Sequence, residues 1–126
     1  MNRSAIPASA TSISSRVSPS ERIVRFVTLR VACDFGLDED VLLTPTRGAP
    51  RAAFARQVAI YLAHVSFGLS FAAVGRMFHR DRTTVAYACR VIEDRRDDRE
   101  LDRRLTALER ACRRLPEHSR VAAEAE

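Results

Sequence analysis

Residues 70–98, SFAAVGRMFHRDRTTVAYACRVIEDRRDD, constrain the chain more than any other stretch. Two patterns of helical period are separated only by His79-Arg80, and the second opens with Asp81-Arg82-Thr83-Thr84. In the first, Val74 and Phe78 fall inward and Gly75 lets a neighbouring helix come close. In the second, Val85, Ala88, Cys89 and Ile92 share one face at about 100° per residue, so Thr83, Tyr87, Arg90 and Asp94 point away from it. A helix whose first turn carries exposed donors, inside a cationic segment, is suited to the major groove of duplex DNA.

The charge distribution supports that reading. Residues 1–46 carry five Arg and five acids, residues 47–96 nine Arg and three acids, and residues 97–126 seven Arg and eight acids. The net charge of +5 is therefore concentrated in the segment that holds the helix pair, where nine Arg face three acids. A focused positive field attracts polyanions and makes their binding salt-dependent. All 21 basic residues are Arg, which carries no functional weight by itself. No apolar run approaches the roughly 20 residues of a membrane span, so no membrane partner is expected, and a cytoplasmic, nucleoid-associated location is. Cys33, Cys89 and Cys112 are odd in number, lack any CxxC pair and are not spaced with His64, His79 or His118 as ligands. No metal or cofactor is expected, and each Cys is read as a small buried apolar residue in a reducing compartment.

The remaining chain reads as helices. Ser18-Pro19-Ser20-Glu21 is a start signal, with Ser as cap, Pro at the first position and Glu three after the cap. Ile23, Phe26, Val27 and Val31 follow at helical spacing, and Gly36 marks an end. Leu37–Leu43 suggests one short helical turn and Thr44–Pro50 a loop. From Arg51 to Val65, a stripe of Phe54, Val58, Tyr61, Leu62 and Val65 predicts a long helix with Arg56 on its opposite face. Gly68 closes it and Ser70 caps the next. A last helix is expected over 98–114 through Leu101, Leu105, Leu108 and Cys112. The predicted organisation is a Ser- and Ala-rich disordered tail over 1–18, with a weak transit-peptide likeness, one all-α domain over 19–115 and a flexible tail over 116–126.

The chemistry follows from residue types. Asp81 can cap its helix by accepting backbone N–H bonds, and Arg76, Arg80 and Arg82 can hold it by charge-assisted bonds. Arg82 can donate to phosphate or to a guanine edge, while Thr83 and Thr84 offer a hydroxyl and a methyl that suits thymine. Tyr87 and Arg90 lie within reach of phosphate. A Thr pair in a first helical turn is more often only a good local start, and a surface Arg is usually just solvated. It is the coincidence of spacing, donors and charge that points to DNA.

Arg56-Gln57-Val58-Ala59-Ile60-Tyr61-Leu62, then Gly68-Leu69-Ser70, Val74–Phe78, Arg80–Val85 and Ala88–Glu93, resembles the C-terminal DNA-binding domain of the bacterial replication initiator DnaA. The resemblance covers about residues 20–110 and rests on RDRTTV followed by ACRVIE. It implies a compact all-α bundle of about five helices containing a helix-turn-helix, of Trp-repressor-like kind. It implies a recognition helix in the major groove of a short asymmetric box and a loop Arg in the adjacent minor groove. By position, Asp81, Thr83 and Thr84 match the base-reading segment, and Arg56 and Gln57 the basic helix start that grips backbone. Arg47 and Arg51 lie near the loop Arg, and Phe71 and Ala72 stand at an apolar pair that touches backbone and thymine. The chain departs from the pattern at Arg82, where the family has His, and at the turn, where His79 replaces two Gly with one residue fewer. The initiator's ATPase is not represented: there is no GxxxxGK[ST] and no Lys. No nucleotide partner is expected, and the chain reads as a stand-alone binding domain.

The expected function is sequence-specific binding of double-stranded DNA at DnaA-box-like sites, in transcriptional regulation or modulation of replication initiation. The alternative is a protein-interaction adaptor that keeps the fold without DNA affinity. Its surface would be the last helix, with Arg103, Arg104, Arg110, Arg113 and Arg114 against Asp102 and Glu109. An enzymatic role finds no nucleophile–base pair, catalytic carboxylate pair or cofactor loop.

Overall fold

A computed structural model describes residues 17–43, 50–115 and 117–126, with side chains left out of account for 117–120. Seven helices and no strands occur among the described residues. They are α1 (Pro19–Phe35), α2 (Glu39–Leu43), α3 (Pro50–Val65), α4 (Phe71–Phe78), α5 (Arg82–Arg95), α6 (Arg99–Cys112) and α7 (Glu117–Ala125).

Local signals set most helix ends. Ser18 Oγ accepts from the Glu21 amide at 3.1 Å, and Glu21 Oε1 accepts from the Ser18 amide at 3.1 Å, completing a capping box ahead of Pro19. Gly36, at φ 69°, ends α1 in the left-handed region, where its amide reaches the last carbonyls. Ser70 Oγ caps α4 through the Ala73 amide. Asp98 caps α6 through the Glu100 and Leu101 amides.

Helix α3 is the centre of the bundle and packs against α1, α2, α4, α5 and α6. Its buried set is Ala52, Ala55 and all of Val58–Ala63, wider than the predicted stripe. A helix surrounded by partners is apolar nearly all round rather than on one face. Val65, the expected end of the stripe, is 42% exposed because the helix stops there and Phe67 and Leu69 take the core positions beyond it. Of the cysteines, Cys89 and Cys112 are buried as expected, but Cys33 is exposed, since it falls on the solvent side of α1.

The C-terminal end also departs from expectation. Instead of a flexible tail over 116–126, the chain forms α7, which packs on α1 and buries Ala123. Small residues at 122, 123 and 125 let this short helix lie close, and Glu124 anchors it by hydrogen bonds to the start of α4. The expected disorder of the first 18 residues falls almost wholly outside the described residues.

Candidate nucleic-acid interface

The site is built on α4, the turn His79–Asp81 and α5. Val85, Ala88, Cys89 and Ile92 of α5 are buried, as the periodicity requires, chiefly against α3 and α4. Burying one Val- or Ile-sized side chain contributes about 1.5–3 kcal/mol, so this face fixes the rotation of α5 about its axis. The rotation in turn sets what solvent sees: Thr83, Tyr87, Arg90 and Asp94 are all exposed on the opposite face, Tyr87 at 62%.

The turn is tight because of two residues. His79 adopts φ 57°, ψ 48°, a conformation that favours Gly, and so reverses the chain within one residue. The Gly75 carbonyl accepts from the His79 amide and from the Arg80 amide, the latter at 2.8 Å. Gly75 is required here: a Cβ at this position would lie 2.6 Å from the Arg80 carbonyl oxygen. The close approach anticipated at Gly75 is therefore to the turn backbone, not to a neighbouring helix.

The tip that results projects Asp81, Arg82, Thr83 and Thr84 into solvent. Asp81 occupies the cap position in extended backbone, φ −82°, ψ 167°, but makes no side-chain capping bond. It accepts instead from Thr84 Oγ1 at 2.8 Å. That hydroxyl, aided by the amide dipoles of the first turn, holds the Asp81 carboxyl below its usual range. The anticipated arginine cage is absent: none of Arg76, Arg80 and Arg82 pairs with Asp81. Arg82 thus stands at the tip with no ion pair among the described residues, and the Thr84 hydroxyl is oriented by its bond to Asp81.

The other candidate residues divide into groups. Arg80 is half-buried in the turn and close enough to Arg56 that its charge, after burial, lowers the Arg56 pKa. Arg56 donates from Nε to the Leu42 carbonyl at 2.8 Å and from Nη2 to the Val41 carbonyl at 3.1 Å, so it caps the C-terminal end of α2. Gln57 is half-buried beside it on α3. Phe71 and Ala72, both half-buried, open α4, and the Phe71 ring lies 4.5 Å from that of His64. Arg51 is not at the tip. Its Nη2 donates to the Phe35 carbonyl, and it shares a cleft with Phe54, Arg95 and Arg104 at the far end of α5. Thirteen residues of α-helix separate Arg82 from Arg95, a rise of roughly 20 Å. Arg47 lies outside the described residues.

Arg96, which the sequence did not single out, holds that far end. Arg96 donates from Nε to Asp102 at 2.6 Å, from Nη1 to Glu109 at 2.7 Å and to Tyr61 Oη at 2.9 Å, and from Nη2 to Thr106 at 3.2 Å. Tyr61 Oη donates in turn to Glu93 at 3.2 Å. Burial pushes the Tyr61 phenol up, against the pull of the Arg96 hydrogen bond. One guanidinium fork thereby ties α5, α3 and α6 together. Arg95 stacks 4.7 Å over the Phe54 ring and Arg104 4.7 Å over Phe35. Arg-to-acid spacings of 6 and 13 residues, across a helix break, leave no local sequence signal for this network.

An all-helical bundle that exposes the first turn of the second helix of a tight helix pair has the architecture of a helix-turn-helix domain. A family model described as bacterial dnaA protein helix-turn-helix matches residues 24–92, just over half of the chain, and the chain belongs to that family. The match runs from α1 to the last buried residue of α5 and leaves Arg96, α6 and α7 beyond it. The family is the DNA-binding domain of the bacterial replication initiator, so DNA binding is its general function. No curated protein and no solved structure matches the chain. Among the described residues no helix is long and apolar enough to cross a membrane.

Proposed function

We propose that this chain binds duplex DNA sequence-selectively, by placing the first turn of α5 in the major groove of a short DnaA-box-like site. The reading is carried by the exposed tip Asp81–Thr84, which continues into the exposed Tyr87 and Arg90 on the side of α5 away from its buried face. Arg82 donates to a guanine edge or a phosphate, and the Thr83 methyl meets thymine. Asp81, ionised and exposed, accepts from an amino group and disfavours bases that present only acceptors there. Arg90 and Tyr87 contact phosphate. The half-buried pair Arg56 and Arg80 adds positive field beside the tip, with Arg56 acting through the position of α2 rather than by a free guanidinium. Occupancy of such sites regulates transcription or modulates initiation by competing for boxes.

The test is selection of bound duplexes from a random pool, followed by fluorescence anisotropy at fixed salt. Thr83→Ala and Arg82→Ala are expected to reduce discrimination by about 1–3 kcal/mol per lost base contact, and Arg90→Ala to weaken all sequences alike and lower the salt slope by about one. Absence of affinity for any duplex at low salt overturns the reading and favours the adaptor. On the adaptor surface, however, Arg104 is committed to Asp34 at 2.8 Å and Glu109 to Arg96.

A further inference from the structure

We infer that α7 is an autoinhibitory element, in which the Glu124 carboxylate occupies the start of α4 in place of a DNA phosphate. This rests on the proposed DNA-binding reading. In a helix-turn-helix the first helix of the pair crosses the sugar–phosphate backbone, and backbone amides at helix N-termini are common phosphate ligands. In this chain that position is filled. Glu124 Oε1 accepts from the Ser70 amide at 2.9 Å, and Oε2 accepts from Ser70 Oγ at 2.7 Å. Arg76, an exposed cation of the same helix, is turned to the Glu124 carbonyl at 3.4 Å. A carboxylate bound through both oxygens by an amide and a hydroxyl uses the donors that a phosphate would take, with the same sign of charge. The contact joins residues 54 apart, and α7 lies wholly outside the stretch that matches the family. The helix is seated on the half of the helix pair that meets backbone. Its hold is slight: Glu124 is exposed, and Ala123 is the buried residue of its described side chains. A duplex can displace it at modest cost. Binding without displacement would set Glu124 against the phosphates.

The geometry predicts a sequence-independent effect. Glu124→Gln removes the charge while keeping the side chain's size, and is expected to tighten binding to preferred and scrambled duplexes alike by about three- to tenfold. The slope of log affinity against log salt is expected to steepen by about one phosphate. Ser70→Ala placed in the Glu124→Gln protein should reverse the gain, because the same donors then serve the phosphate. Anisotropy titrations over a salt series read all three, with circular dichroism melts to confirm that each variant is folded. Wild type that binds duplex while Glu124→Gln binds equally or more weakly overturns the autoinhibitory contact and leaves the DNA-binding reading intact. A wild type and a Glu124→Gln protein that both fail to bind at low salt overturn both.

Discussion

Substituting Gly75 by Ala tests whether the turn is what aims the recognition helix. The added Cβ would stand 2.6 Å from the Arg80 carbonyl oxygen and 3.7 Å from the Asp81 carbonyl carbon. A carbon–oxygen contact is comfortable at about 3.3 Å, so the turn must retreat by roughly 0.7 Å. The obstacle is backbone, which cannot swing away as the end of a long side chain can. Overpacking of this kind costs about 1–3 kcal/mol, and weakening the 2.8 Å bond from the Arg80 amide to the Gly75 carbonyl adds about 1. Ala returns about 1 kcal/mol through its better helix propensity. The net expectation is a loss of about 1–3 kcal/mol in urea unfolding followed by circular dichroism. The functional loss is expected to be selective. A base-edge hydrogen bond tolerates only a few tenths of an ångström, so a displaced tip should forfeit about 1–3 kcal/mol of discrimination between preferred and scrambled duplex, while non-specific affinity changes little. His79→Gly is the matched control: it relieves a left-handed residue without moving the turn, and should be neutral or stabilising by up to about 1 kcal/mol with discrimination intact. A Gly75→Ala protein as stable as wild type and equally discriminating would refute the reasoning.

Arg96→Ala should cost about 2–4 kcal/mol in urea unfolding, because Asp102 and the half-buried Glu109 and Tyr61 Oη lose a shared partner; Arg96→Lys should restore little of it, since an ammonium cannot span Asp102, Glu109, Tyr61 and Thr106. Thiol titration of the native protein should show one fast-reacting group, Cys33, with Cys89 and Cys112 reacting only on unfolding; burial and nearby Glu93 push the Cys89 thiol up to about 11, which further suppresses its thiolate. Glu124 is held below the usual carboxylate range by the Ser70 amide and hydroxyl, so its contribution to stability is full above about pH 4.5 and is lost as pH falls through the lowered value. Thermal melts of wild type should therefore lose more between pH 4.5 and lower values than melts of Glu124→Gln, and identical pH profiles would count against the Ser70 contact.

What could be read from the chain was whatever a few neighbouring residues decide among themselves. The capping box at Ser18, the left-handed stop at Gly36, the cap at Ser70 and the two faces of α5 all depend on spacings of one to eleven residues, and the structure has each of them. The need for a small residue at Gly75 was also legible, although the backbone it spares is that of its own turn. Long-range partners were not legible, because side-chain ends meet only after packing has placed the helices. Arg56, matched by the resemblance to a basic helix start that grips DNA backbone, donates to the carbonyls of α2, and Asp81, read as a backbone cap held by arginines, accepts from Thr84. Arg51, placed by the resemblance near a minor-groove loop Arg, shares a cleft with Arg95 and Arg104 at the end of α5 away from the tip, a neighbourhood that no local spacing announces.

By itself, then, the amino-acid order determined that these segments are helices, which face of each is apolar and that one helix begins with Asp-Arg-Thr-Thr after a short turn. Helix periodicity is a local property of the backbone, so no tertiary contact was needed for that. Only the packed structure decided how α5 is aimed, because its tilt follows from the Gly75 turn, the α3 surface and the Arg96 fork acting at once. The same packing brought Glu124 onto Ser70, a meeting fixed by how α7 lies on α1 rather than by any spacing along the chain.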